Sequence, residues 1–462
     1  MPRAGVCGGA CVKRRPKRTR RSTQTPLQCV QSSWPLLLFG GPTWFARIPE
    51  IRAIRASFKF PRNLATCFGQ YKVMTIAINH RTSRGRHHRA DNTSTMKTIL
   101  KSSSIFVSFF ALITVAAATQ YVQTDLTGYT TGQNTRYTDP NLNGWGMVRL
   151  PNGIYCIADT CPGVVTFYDS SGRPLPLVIT VPPAPSQPFG PVGSPAGVVY
   201  NSTSDFVISA NGRSAPARLI FDTLDGTISG WNPYVDPTNA IIMVDNSTET
   251  IPASYTGLAL ARDGQGRNIL YAADGGYAPD FSNNRFDMFD RYFNSIGSFT
   301  DPNVASQYPG NTAFQVENED GKLFVTFGGF APPFGGVVDI FDYSGNLLTP
   351  NHFAANLPGA GPLVNPWAIT RAPSNFGQFS NAILIGNVED GKINAFSDSG
   401  EFLGPLLNTD NTPIVIPGLW DFDFAPGNRY AGPGPHIYFT AGPNVADFCG
   451  NGLFGLISPA RR

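Results

Sequence analysis

Six residues that open short apolar runs, Trp145, Ala196, Thr256, Phe314, Trp367 and Trp420, lie 51 to 60 positions apart. The clearest copy of the repeating unit spans 365–400. An aromatic turn opens a short apolar run, and a second run over 382–386 ends on Asn387. The hairpin Glu389-Asp390-Gly391 leads into a third run over 392–396. A Ser-Asp-Ser-Gly turn then leads into a fourth at 401–403. Three turns joining four short strands spell an antiparallel meander.

One such sheet cannot bury both of its faces. Stacking copies around an axis buries each face against a neighbour and leaves only short outer edges. Six units of this period therefore predict an all-β chain folded as a six-bladed β-propeller, with four antiparallel strands per blade. Two separate β-sandwiches would not produce the even spacing. The 48 Gly and 40 Pro supply the turns. Copy two reads as an opening at 194–197, a second strand at 205–210 and a third at 217–222. Copy six is one strand short. The alternating stretch 121–126 is expected to be its missing outer strand, pairing with 452–457 so that the N-terminal strand closes the ring.

Charge divides the chain. Residues 1–95 hold 18 Lys and Arg against Glu50 and Asp91, whereas residues 119–462 hold 15 basic and 29 acidic side chains. The first stretch reads as a basic leader, either a gene-model extension or disordered. Residues 96–118 have a short basic start, an apolar core and Ala116-Ala117-Ala118, the layout of a secretory signal peptide. The propeller is expected over 119–462, secreted, extracellular and monomeric. No further apolar run of spanning length follows, and so acidic a domain repels phosphate backbones, which argues against nucleic acid.

In a propeller, the blade openings and the loops between second and third strands share one mouth of the channel. That mouth is expected to collect Trp145, Trp367 and Trp420 as a stacking platform, or as packing between inner strands. It is also expected to collect Asp159, Asn211, Asp274, Asn387 and Asn444, as turn caps or as a ring of oxygens for Ca2+. No other cofactor is expected. The folded part has only His352 and His436, and Cys156, Cys161 and Cys449. That set does not suggest a zinc site, and both histidines read as surface or satisfied residues. Glu317, Glu319 and Asp320 precede Gly321 and read as a solvated turn. Cys161 and Cys449 fall in equivalent loops of blades one and six, and a disulfide between them is expected in a secreted chain. Asn201 and Asn246 head glycosylation sequons in loops expected to be exposed.

Runs such as Val338-Asp339-Ile340-Phe341-Asp342 resemble NHL-type repeats. Asn365-Pro366-Trp367, Pro373–Phe379, Phe439–Asn444, Asp225–Pro233 and Gly297–Asn303 together resemble a family of secreted propeller-like proteins of bacteria, fungi and giant viruses. The resemblance covers nearly all of 120–460. It implies the fold and no particular activity. Copy one departs from it, with Thr160-Cys161 where relatives tend to have Asn-Gly. The function expected is that of a binding or surface protein for a glycan, peptide or protein. The alternative is a calcium-dependent lactonase- or esterase-like hydrolase working in the channel.

Overall fold

The computed structural model describes residues 119–186, 190–276, 283–428, 430, 434–442 and 449–460. The leader, the signal-peptide stretch and Asn444 lie outside the described residues. Six sheets, antiparallel except for one short parallel pairing at an outer edge, form a propeller ring. Their inner strands are Gly144–Arg149, Pro195–Tyr200, Tyr255–Arg262, Asn311–Glu319, Pro366–Arg371 and Leu419–Ala425. The core lies between the blades. Phe286, Phe327 and Phe341, for example, fill the seam between blades three and four, all fully buried.

The sixth sheet is made from both ends of the folded chain. Tyr121–Gly128 runs antiparallel to Leu453–Pro459, with Thr124 opposite Leu456. A two-residue strand, Tyr137–Thr138, adds to its outer edge, so this sheet has five strands where four were expected. Among the described residues no helix is long and apolar enough to cross a membrane.

Copy two departs from the expected reading. Its second strand is Leu219–Thr223, which pairs directly with Pro195–Tyr200. Val207–Ala210 and Arg213–Pro216 instead form a separate hairpin inserted between these two strands. Alternation misled here, because one face of the hairpin does pack: Ile208 is buried while Val207 is 48% exposed. At the hairpin in copy five, Gly391 has φ +66°, and a Cβ there would stand 2.4 Å from the Ile416 carbonyl oxygen.

The same irregularity recurs in all six inner strands. Pairing with the second strand slips between Gly144 and Met147, Pro195 and Val198, Tyr255 and Gly257, Ala313 and Gln315, Pro366 and Ile369, and Leu419 and Asp421. A β-bulge re-aims a side chain and frees a backbone N–H. The residues inside these slips include Trp145, Ala196, Thr256, Phe314, Trp367 and Trp420. The 51-to-60 spacing is thus the spacing of six bulges.

Asn201 is fully buried, contrary to expectation. Its Nδ2 donates to the Asp205 and Ala217 carbonyls at 3.0 and 2.9 Å, and its Oδ1 accepts from the Thr203 N–H at 2.9 Å. The amide ties the inserted hairpin to its blade and is not available for a glycan. Peptide mapping of protein made in a glycosylating host should find Asn201 bare. Asn201→Ala should cost about 2–3 kcal/mol, because buried backbone partners lose their bonds; a glycan mass on that peptide would refute the assignment. Asn246 is half-buried, and its Nδ2 donates to the Tyr255 hydroxyl at 2.7 Å.

Candidate functional site

The bulges bring the three tryptophans together. Trp145 and Trp420 stack with centroids 4.0 Å apart and planes 10° from parallel, and Trp367 stands edge-on to Trp420 at 4.6 Å. Phe314 leans on Trp367 at 4.7 Å, and Ala196 and Val388 complete the cluster. The rings are only 4–5% exposed. They form an apolar plug around the axis: of the two expected roles, packing between inner strands is the one observed, and no solvent-facing stacking platform is formed. Thr440 and Thr256 brace the plug by donating from Oγ1 to the Trp145 and Phe314 carbonyls, each at 2.6 Å.

The four described members of the Asp and Asn set, Asp159, Asn211, Asp274 and Asn387, do not form a cation cage. Asp159 accepts from the Asn143 N–H at 2.7 Å and the Thr166 hydroxyl at 2.6 Å. Asp274 accepts from the Ser254 and Gly276 N–H groups and pairs with Arg285 at 3.1 Å. Asn387 donates to the Pro362 carbonyl at 2.8 Å. Each stands at the end of a second strand and holds the segment entering its own blade. Asn211 is at the tip of the inserted hairpin, between first and second strands, and so belongs to the opposite face. These residues do not fit a bound calcium ion. The other sequence-based pairing is present: Cys161 and Cys449 are disulfide-bonded with Cα atoms 5.4 Å apart, and Cys156 is a buried thiol.

The charged chemistry lies on the far side of the plug. A cavity of about 370 Å3 is lined by all six inner strands. Its lining residues Gly146, Gly197 and Gln315 directly follow plug residues in the chain. Glu317 and Glu319 face it from blade four, Asp421 and Asp423 from blade six, and Arg149 from blade one. Spacing of two along a strand places each acidic pair on one face.

Three of these carboxylates have protein partners. Asp421 accepts from the Met147 N–H at 2.7 Å, a group freed by the bulge of the neighbouring blade. Asp423 accepts from the Phe424 N–H, and Glu319 from the Thr370 hydroxyl at 2.9 Å. The Glu317 carboxylate makes no hydrogen bond among the described residues. Burial pushes its pKa well above the ordinary range, and the charges of Asp421, Glu319 and Asp423 push it further. Burial carries Asp421 up to about 8, against the pull of the Met147 N–H. Asp423 and Glu319 are raised too, again chiefly by burial.

Reading Glu317 and Glu319 as a solvated turn was therefore mistaken. The inner strand of blade four runs nine residues, to Glu319, and only Asp320-Gly321 turns. The missed signal was the Glu317-Asn318-Glu319 alternation, which mirrors Asp421-Phe422-Asp423. A larger hollow of about 530 Å3 opens beside Asp205, Arg267, Asp290 and Arg291. Its ionic groups are already satisfied locally: Arg267 pairs with Asp263 at 2.7 Å, and Asp290 holds Asn294.

No family model matches the chain. An uncharacterized protein of Acanthamoeba polyphaga mimivirus is 27% identical over 344 residues, 70% of this chain and 81% of its own length. Among solved structures, a streptogramin B lyase aligns over 74% of this chain and 97% of its own with TM-score 0.39 and 10% identity. A gluconolactonase from Xanthomonas campestris aligns over 69% and 88%, with TM-score 0.42 and 11% identity. At these identities the likeness concerns the fold alone.

Proposed function

We propose that this protein is a ligand-binding propeller that takes an organic cation, an alkylammonium or guanidinium such as the basic end of a peptide, into the carboxylate cavity. The observation that carries this reading is Glu317: a carboxylate facing a cavity with no protein partner, amid three other acids. Holding like charges together in a low-dielectric site is costly, and a bound cation relieves that cost. An extended cation suits the site better than one metal ion. Among the described residues, no three channel carboxylates bring ligand atoms within 4.8 Å of one another. The volume falls in the usual range for small-ligand sites. Secretion belongs to the same proposal, supported by the apolar 105–115 stretch and the disulfide.

Calorimetry with agmatine, which carries an ammonium and a guanidinium, tests this. Binding is expected to release protons and to strengthen as pH rises toward about 8, by at most about tenfold per pH unit per proton. Once both Glu317 and Asp421 are ionised it should level off. Glu317→Gln with Asp421→Asn should abolish it. Equal affinity in wild type and the double variant, or no binding of any organic cation at pH 8, overturns the reading.

The same charges predict a stability effect in the unliganded protein. Glu317 has a folded pKa above its unfolded one, so folding takes up a proton between the two values. Stability contributed at low pH is lost as pH rises through that window. Glu317→Gln cannot ionise and gives up no hydrogen bond. It should raise the melting temperature by about 1.5–4 °C at pH 7.5, equivalent to roughly 1–3 kcal/mol, and by almost nothing at pH 4. A melting temperature unchanged at both pH values would show that Glu317 is not crowded by charge.

A further inference from the structure

A second cluster lies away from the channel, at the junction of blades three and four. Asp301 follows the outer strand of blade three, Ser295–Phe299, and caps the short helix Pro302–Gln307. Asp339 is on the third strand of blade four, Gly336–Phe341, and His352 sits just before its outer strand, Ala354–Asn356. His352 has φ +63°, and its side chain is 6% exposed. Both aspartates are fully buried. Within the described residues this is the one group of three His, Cys, Asp or Glu side chains whose ligand atoms lie within 4.8 Å of one another.

We propose that Asp301, Asp339 and His352 bind a zinc ion. The imidazole Nδ1 lies 3.0 and 3.1 Å from the two oxygens of Asp339 and 3.5 Å from Asp301 Oδ2. Ligands about 2.0–2.2 Å from a common metal stand roughly 2.9 Å apart at right angles and 3.4 Å apart at tetrahedral angles. Both separations from the imidazole fall near those values, and all three ligand atoms lie within 4.8 Å of one another.

A second observation points to a missing partner. Asp301 Oδ1 is used by the Asn303 N–H at 2.8 Å, but its Oδ2, also buried, has no hydrogen bond. Its distance to Nδ1 is too long for a good one. Tyr308 packs edge-on against the imidazole at 5.3 Å, and the Thr349 hydroxyl contacts Asp339 Oδ1 at 3.3 Å, so two of the ligands are held by neighbours of their own.

One nitrogen and two carboxylates select a borderline first-row ion. Calcium takes six to eight oxygens and does not use imidazole. Water completes the sphere. The ion would tie the exit of blade three to two strands of blade four, a structural role independent of the channel.

The test uses the whole, tag-free protein after chelator dialysis. On adding Zn2+ it is expected to bind one equivalent by elemental analysis and to melt about 4 °C higher at 100 times the dissociation constant. His352→Gln and Asp339→Asn should each lose the zinc, and His436→Gln should keep it. Should the first two variants fail to fold, wild type loaded with Co2+ reads the same ligands: intense visible bands of a four-coordinate site are expected. No retained zinc with an unmoved melting temperature leaves the triad a hydrogen-bonded cluster of protein groups and overturns the proposal. So do a pale six-coordinate cobalt spectrum, full zinc retention in His352→Gln, or a shift produced by Ca2+ and not by Zn2+.

Discussion

Trp420→Ala should destabilise the protein by about 3–5 kcal/mol, the usual cost of removing a buried aromatic from a packed core. The indole stacks on Trp145, meets Trp367 edge-on and is 5% exposed. No single neighbour can collapse into its volume, because the aromatic plug residues are each fixed by their own bulge. Trp420 Nε1 is buried without a hydrogen bond, so the native residue already carries a desolvation cost. Trp420→Phe sheds that cost along with some contact area and should lose only about 1–2 kcal/mol. Denaturant melts at constant m-value separate the cases. An alanine variant within 1 kcal/mol of wild type, on the scale of these core losses, would mean that the plug is not the packed element described above.

Breaking the disulfide should have an effect of similar size. Cys161 and Cys449 are 288 residues apart in sequence, and the bond spans blades one and six. Chain-entropy reasoning gives about 5–6 kcal/mol for so long a loop, and measured losses centre lower, at about 2–5 kcal/mol. Cys161→Ser with Cys449→Ser should therefore lower the melting temperature by roughly 3–7 °C. Reductant should reproduce this in wild type and do nothing further to the variant. Denatured without reductant, residues 119–462 should take up one alkyl label, on Cys156. Labels on Cys161 or Cys449, or a melting temperature indifferent to reductant, would refute the linkage.

Architecture was legible in the sequence because the repeat is physical: each blade needs one inward bulge, and the bulge residue is usually large. Where the blade pattern was interrupted, the reading failed. The hairpin containing Ile208 looked like a blade strand because half-buried hairpins alternate as blade strands do, and that error moved Asn211 to the wrong face. The channel acids were hidden for a different reason. Glu317 and Glu319 look like turn residues unless the inner strand is known to continue past Val316, and strand ends are the least determined feature of a sequence. Asp301, Asp339 and His352 could not have been grouped at all. They are brought together by the packing of two blades, and no local spacing announces them.

The plug gives the channel a floor. A ring of blades open at both ends could be threaded like a bead, but this one can only be entered as a thimble is. Whatever reaches Glu317 comes in by one door and leaves by the same door. A polymer cannot be gripped along its middle there. It must offer a terminus or a side branch, and two guests cannot queue from opposite sides.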